Sequence, residues 1–188
     1  MYNRNKRKQV LTSWTRARGF TLLELMIVLG IVAIMASIAV PSFTRMIRGQ
    51  RVLAASNAMI AAIKIARNEA ITRGVSVSLC PTDNPNATTP VCNTTPTGWQ
   101  SGWLIFPTAA GAGSLIRIGE PQNGVTMNNP GQVDFDNRGI PTIGGSPVDP
   151  LNTNVAVNAT SCDTGKDKEI IVNLGVTGTV HSTASTCP

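Results

Sequence analysis

The chain has 188 residues, 42% of them apolar, with 16 Lys or Arg against 10 Asp or Glu and an isoelectric point near 9.6. Such basicity would ordinarily point to nucleic acid or another acidic surface, but six of the bases (Arg4, Lys6, Arg7, Lys8, Arg16 and Arg18) lie in residues 1–19, which hold no acid, and the remaining 169 residues balance at ten against ten. With one histidine, no nucleophile elbow, no phosphate-binding glycine loop and no paired carboxylates in a recognisable context, the chain is expected to be neither an enzyme nor a cofactor binder.

The basic leader is a topological device, because positive residues stay cytoplasmic while the segment behind them inserts into the membrane. From Phe20 to Thr44 the only charge is Glu24. A secretory signal places its cleavage site after its apolar segment; here the small residue that could mark a cut, Gly19, comes before it. Cleavage between Gly19 and Phe20 would therefore leave the apolar segment on the mature chain. A carboxylate near the bilayer centre costs roughly 2.5–3.5 kcal/mol, so Glu24 should persist there only with a partner; the alternative is a place at the membrane interface of a simple anchor. The run Gly19-Phe20-Thr21-Leu22-Leu23-Glu24 behind a basic leader closely resembles the prepilin signal of type IV pilins and type II secretion pseudopilins. That resemblance implies cleavage by a prepilin peptidase, N-methylation of Phe20, and pairing of Glu24 with the free amino group of a neighbouring subunit's first residue.

Residues 20 to about 73 read as one helix, roughly 80 Å long at 1.5 Å per residue. Its first part is long and apolar enough to span a bilayer. Pro41 is expected to interrupt it by removing a backbone donor, kinking or loosening the helix. In the second half Val52, Ala55, Met59, Ile63, Ala66 and Ala70 recur at spacings of three and four, opposite Asn57, Lys64, Asn68 and Thr72. This half should pack on a domain, whereas the first must bury itself in lipid or in other subunits.

Gly74 should stop the helix, after which Val75 to Leu79 alternates as a strand with one buried face. Further strands are expected at Trp103 to Phe106, Leu115 to Ile118, Gln132 to Phe135, Glu169 to Leu174 and Gly178 to His181, with Gly, Pro, Asn and Thr clusters between them. The expected fold is α+β: a long N-terminal helix whose amphipathic half covers a mainly antiparallel β-sheet. Trp103 and Phe106 are expected to pack against that helix; Trp99, in a loop, is less expected there. Asp134 and Asp136 are expected on one face of an exposed sheet rather than on a metal. The organisation is a leader at 1–19, an apolar assembly segment at 20–47 and a globular domain at 48–188.

Cys80, Cys92, Cys162 and Cys187 all follow the apolar segment. They suit an oxidising compartment better than zinc, since no two have the short spacing of a metal site and His181 is the single histidine. Four cysteines leave three pairings open; Cys80–Cys92 with Cys162–Cys187 is favoured because each closes a local loop poor in core residues.

Ala66-Arg67-Asn68-Glu69-Ala70-Ile71-Thr72-Arg73 with the following strand, the Gly98-Trp99-x-x-Gly102-Trp103-Leu104-Ile105-Phe106 segment, and Val133-Asp134-Phe135 closed by Arg138-Gly139 resemble the FimT/FimU/GspH group of minor pilins and pseudopilins. Two disulfides favour a FimU-like minor pilin. The resemblance implies a subunit held in the inner membrane by one N-terminal helix, with its domain in the periplasm and later at the pilus tip or cell surface. Its partners would be the peptidase, other minor pilins, the major pilin and the pilus platform, with Glu24 and Pro41 serving assembly and a role in priming the fibre for twitching motility and adhesion. Some FimT-like proteins bind DNA through a Gly-Arg-x-Arg element; the matching Gly178-Thr179-Val180-His181 lacks both arginines, which sets DNA uptake behind the pilus reading. A pseudopilin of type II secretion is the other alternative. The basic stripe Arg45, Arg48, Arg51, Lys64, Arg67 and Arg73 suits interfacial placement or subunit pairing.

Overall fold

The computed structural model describes residues 19–93, 98–110, 114–128, 131–148 and 153–187; the leader's bases lie outside them. The chain divides into two compact units, Met1–Pro41 and Ser42–Pro188. One helix, α1 (Leu22–Arg73), runs through the division. Thr21 precedes its first turn, and the Thr21 hydroxyl accepts the Glu24 N–H at 3.1 Å, satisfying one of the donors a helix start leaves free. Helical geometry continues through Pro41, so the expected interruption does not break the helix.

In the first unit the helix is exposed all round, from Leu22 at 76% to Val40 at 59%. In the second, all six residues of the expected apolar face are buried, together with Ser56 and Ala62, and Asn57, Lys64, Asn68 and Thr72 are exposed. Gly74 ends the helix as expected: its φ is +68°, a left-handed conformation suited to glycine, and its N–H bonds to the Ala70 carbonyl at 3.0 Å.

The expected single sheet is two. A six-stranded antiparallel sheet has the order β3 (Arg117–Gly119), β2 (Trp103–Pro107), β1 (Val77–Pro81), β5 (Val133–Phe135), β6 (Pro141–Ile143), β7 (Ser146–Pro147). A four-stranded antiparallel sheet has the order β10 (Val180–Thr186), β9 (Lys168–Leu174), β8 (Asn154–Ala159), β4 (Val125–Met127). Strands β2, β5 and β9 fall where the sequence places them. The first strand begins two residues late, at Val77, and all five of its residues are buried instead of alternate ones. The reason is its position: β1 lies between β2 and β5, with the helix side on one face and a second apolar cluster on the other.

Side-chain alternation along β2 separates those two faces. Trp103 and Ile105 join the main core with Val77, Leu79 and the α1 face. Leu104 and Phe106 turn the other way, onto Cys80. Phe106 therefore packs on the far side of the sheet and not on the helix side. The main core also takes Val125 and Met127 from β4, Val155 and Val157 from β8, and Val172 and Leu174 from β9, so one apolar helix face serves both sheets.

Candidate functional site

Of the residues expected to direct processing and assembly, Gly19, Phe20 and Glu24 stand at the start of α1, and Pro41 lies within the helix. Gly19 and Phe20 precede the helix, both exposed, Phe20 at 86%. Glu24 occupies the first turn, with its backbone N–H held by Thr21 and its carboxylate exposed. Among the described residues no cation pairs with it. Thr21-Leu22-Leu23-Glu24 has the Ser/Thr-x-x-Glu form of a capping box, a sequence signal for the helix start that the expected boundary at residue 20 overlooked. Behind it the apolar surface is continuous: an 18-residue window of α1 has a mean hydropathy of 2.6 and none of it is buried. An exposed apolar surface of that extent marks a contact with lipid or protein.

In the second unit, Cys80 is disulfide-bonded to Cys92 and Cys162 to Cys187, with Cα separations of 5.6 and 6.1 Å. The first bridge fastens the loop after β1 over the Leu104–Phe106 face. The second ties the end of β10 to the turn that precedes β9. Trp99, less expected in the core than its neighbours, is its largest fully buried side chain at 1% exposure. A short 3-10 turn, Trp99–Ser101, carries it inward, so it points to the core although it belongs to no strand. Nothing in strand periodicity could have located it.

The two aspartates take separate roles rather than sharing an exposed face. Asp134 lies in β5, where its Oδ1 accepts the Ser78 hydroxyl at 2.6 Å and the Gln132 side-chain amide at 2.7 Å. Asp136 has left the strand and organises the turn to β6: it accepts the backbone N–H groups of Ile140 (2.8 Å) and Arg138 (2.9 Å) and the Arg138 Nε (3.0 Å). The Ile140 N–H above all, aided by Arg138, holds its carboxyl below the ordinary carboxylate value. No cluster of three or more His, Cys, Asp or Glu that could hold a metal ion exists among the described residues.

Three bases of α1 are engaged within the domain. Arg48 donates to the Ser161 carbonyl at 3.2 Å and stands 3.6 Å from the buried Asp167 carboxylate. Arg67 donates to the Gly139 carbonyl at 3.2 Å, beside Gly178, whose φ of +74° turns the chain from β9 into β10. Arg73 pairs with Glu69 one helical turn back at 2.6 Å. The Gly178-Thr179-Val180-His181 stretch presents no arginine, and His181 is exposed on the edge strand β10.

The fold resembles crystal structures of the type IV minor pilin FimU of Pseudomonas aeruginosa. One crystal form aligns with a TM-score of 0.50 at 14% identity over 70% of this chain and 87% of that one; a second form gives 0.49 at 14% identity over 70% and 91%. Among curated proteins, none matches the sequence. Residues 14–40 match the prokaryotic N-terminal methylation motif, which places Gly19, Phe20 and Glu24 inside a recognised pilin-type N-terminus. Residues 55–177 match the family described as Type II transport protein GspH, and the chain belongs to that family of minor pilins and pseudopilins.

Proposed function

We propose that the chain is a minor pilin of a type IV pilus, cut by a prepilin peptidase between Gly19 and Phe20 and N-methylated at Phe20. Residues 20–47 hold it in the inner membrane with residues 48–188 in the periplasm. It then joins other minor pilins and the major pilin near the pilus tip, where it helps prime the fibre. The observation that carries this reading is the uncovered apolar half of α1 with its single carboxylate. Such a surface requires lipid before assembly and the helices of other subunits afterwards. Within that apolar setting an unpaired Glu24 is costly, and the amino group of a neighbour's first residue offsets the cost. Pro41, which leaves one carbonyl of the helix ladder without its donor, is the point at which α1 can loosen on entering the filament. The likeness to a minor pilin of known fold supports the choice of machine. Deleting the gene should abolish or sharply reduce surface pili and twitching; normal piliation in the deletion strain would refute the priming role.

The family's description as a type II transport protein favours a second reading, a minor pseudopilin of a secretion machine. The same deletion separates the two, because a pseudopilin's loss would stop secretion of exoproteins and leave pili intact. DNA uptake has less support, since Arg48, Arg67 and Arg73 are occupied within the domain.

A further inference from the structure

A groove of about 540 Å³ opens on the second unit beside the part of α1 that begins at Arg45. Four bases line it, Arg45, Arg48, Lys166 and Lys168, against one acid, Asp167. Asp167 is only 6% exposed, and its carboxylate accepts the Asp163 N–H at 2.9 Å and faces Arg48 at 3.6 Å. That pair is internally matched. Arg45, Lys166 and Lys168 are exposed and have no acidic partner among the described residues. Three uncompensated cations thus surround a surface whose other walls include Met46, Leu53 and Ile170. The combination suits an anion that carries an apolar tail.

The position along the helix fits as well. A bilayer's hydrocarbon core, about 30 Å thick, takes about 20 helical residues. Counted from Leu22, that brings the far headgroup layer to about residues 42–46, and Arg45 is the first charge after Glu24. We propose that this groove binds the phosphodiester headgroup of an anionic phospholipid on the outer face of the inner membrane, with Lys166 and Lys168 as its principal contacts and Arg45 beside them. The bound lipid holds the domain against the membrane until assembly extracts the subunit. The inference rests on the membrane-anchored reading above.

The test uses the full chain in a neutral detergent, offered equal amounts of a phosphatidylglycerol and a phosphatidylcholine of the same acyl chains, with retained lipid read by native mass spectrometry. Each base near an anionic surface contributes about fivefold. Lys166→Ala with Lys168→Ala should therefore reduce the preference for phosphatidylglycerol by about 25-fold, while Lys166→Arg with Lys168→Arg retains it. Equal retention of the two lipids by the unaltered chain, or an unchanged preference in the double alanine variant, would overturn the proposal. Displacement of the lipid by millimolar inorganic phosphate would also overturn it, by showing a site for the free ion. Failure of the unaltered chain to insert into lipid nanodiscs at all would instead remove the anchor reading beneath it.

Discussion

Trp99 is the side chain on which both sheets and the helix depend, so its removal should be felt by the whole domain. It borders a small cleft with Met59 and Ile63 of α1, Leu79 and Val133 of the six-stranded sheet, and Val155, Val172 and Leu174 of the four-stranded one. At 1% exposure the indole is withdrawn from water almost entirely. Trp99→Ala loses that burial and leaves a void bounded by three separate elements, none of which can close on it without leaving its other contacts. Substitutions of this kind cost about 3–5 kcal/mol. A unit the size of Ser42–Pro188 has a stability of about 7–15 kcal/mol, so between about a fifth and two-thirds of it disappears and the melting temperature falls by about 6–20 °C. Urea unfolding in mild detergent, followed by near-ultraviolet circular dichroism, measures the loss. Trp103→Ala provides the comparison: Trp103 is 8% exposed and lies over Gly119 at the start of β2, toward the sheet's edge, and should cost clearly less. A loss below about 1 kcal/mol for Trp99→Ala, or the reverse order of the two variants, would refute the reasoning.

Gly178→Ala places a side chain where φ is +74° and where its Cβ would stand 2.8 Å from Arg67 Nε and 2.5 Å from the Gly139 carbonyl oxygen; thermal unfolding should register a loss of about 2–3 kcal/mol, from left-handed strain and the displaced contact together. For Asp136 the folded pKa is depressed, so its contribution to stability is complete above its ordinary value of about 3.9 and is lost as pH falls through the lower, folded value. Urea titrations below pH 4 should show the unaltered chain losing more stability on acidification than Asp136→Asn, which has no carboxylate to protonate. Intact-mass measurement of protein from membranes or sheared pili should show a chain beginning at a methylated Phe20, and a bulky or charged residue at Gly19 should leave the leader attached. Glu24→Ala removes a charge costing roughly 2.5–3.5 kcal/mol from the apolar run, so membrane levels should hold or rise while the amount in sheared pili falls; assembly at the unaltered level would show that the residue only anchors.

Legibility in the sequence followed the strength of each periodic signal. The apolar face of α1 could be read residue by residue because Val52, Ala55, Met59, Ile63, Ala66 and Ala70 repeat over five turns against polar neighbours. Strands β2 and β9 announced themselves with runs of branched and aromatic residues. Strands β6 and β7 did not: each has only two or three residues and contains a proline, Pro141 or Pro147, which weighs against a strand assignment. With β4 also only three residues long, the split into two sheets was hidden. Strand β8 was legible and overlooked, since Val155, Val157 and Ala159 alternate cleanly with half-buried Asn154, Ala156 and Asn158. At the candidate site, the sequence singled out Gly19, Phe20 and Glu24 through a motif, whereas the groove between Arg45 and Lys168 joins residues more than a hundred positions apart and leaves no local trace.

The helix bases show why a charge pattern on one element can mislead about its partner. On the sequence alone Arg45 to Arg73 form a stripe, and a stripe invites an external ligand. In the folded domain Arg48 reaches the 161–167 turn, Arg51 lies beside Gly124 ahead of β4, and Arg67 reaches the turn after β5 next to the one after β9. Each arginine thus meets a turn of one sheet or the other on the side of α1 that both sheets share. Exposed ion pairs contribute little singly, but Arg48 balances a buried acid, and without it Asp167 would be an uncompensated charge in the interior. A nucleic acid seeking these guanidinium groups would have to displace backbone carbonyls and a buried carboxylate, losing domain contacts for each phosphate gained. Among the described residues, exposed bases with no acidic partner include Arg45, Lys166 and Lys168 at the groove, Lys64 on the helix's exposed face, and Arg117 on the short edge strand β3. Of these, Arg45, Lys166 and Lys168 line one groove of the second unit, which is why the outward-facing charge proposed above to hold a phospholipid headgroup is assigned to them and not to the stripe as a whole.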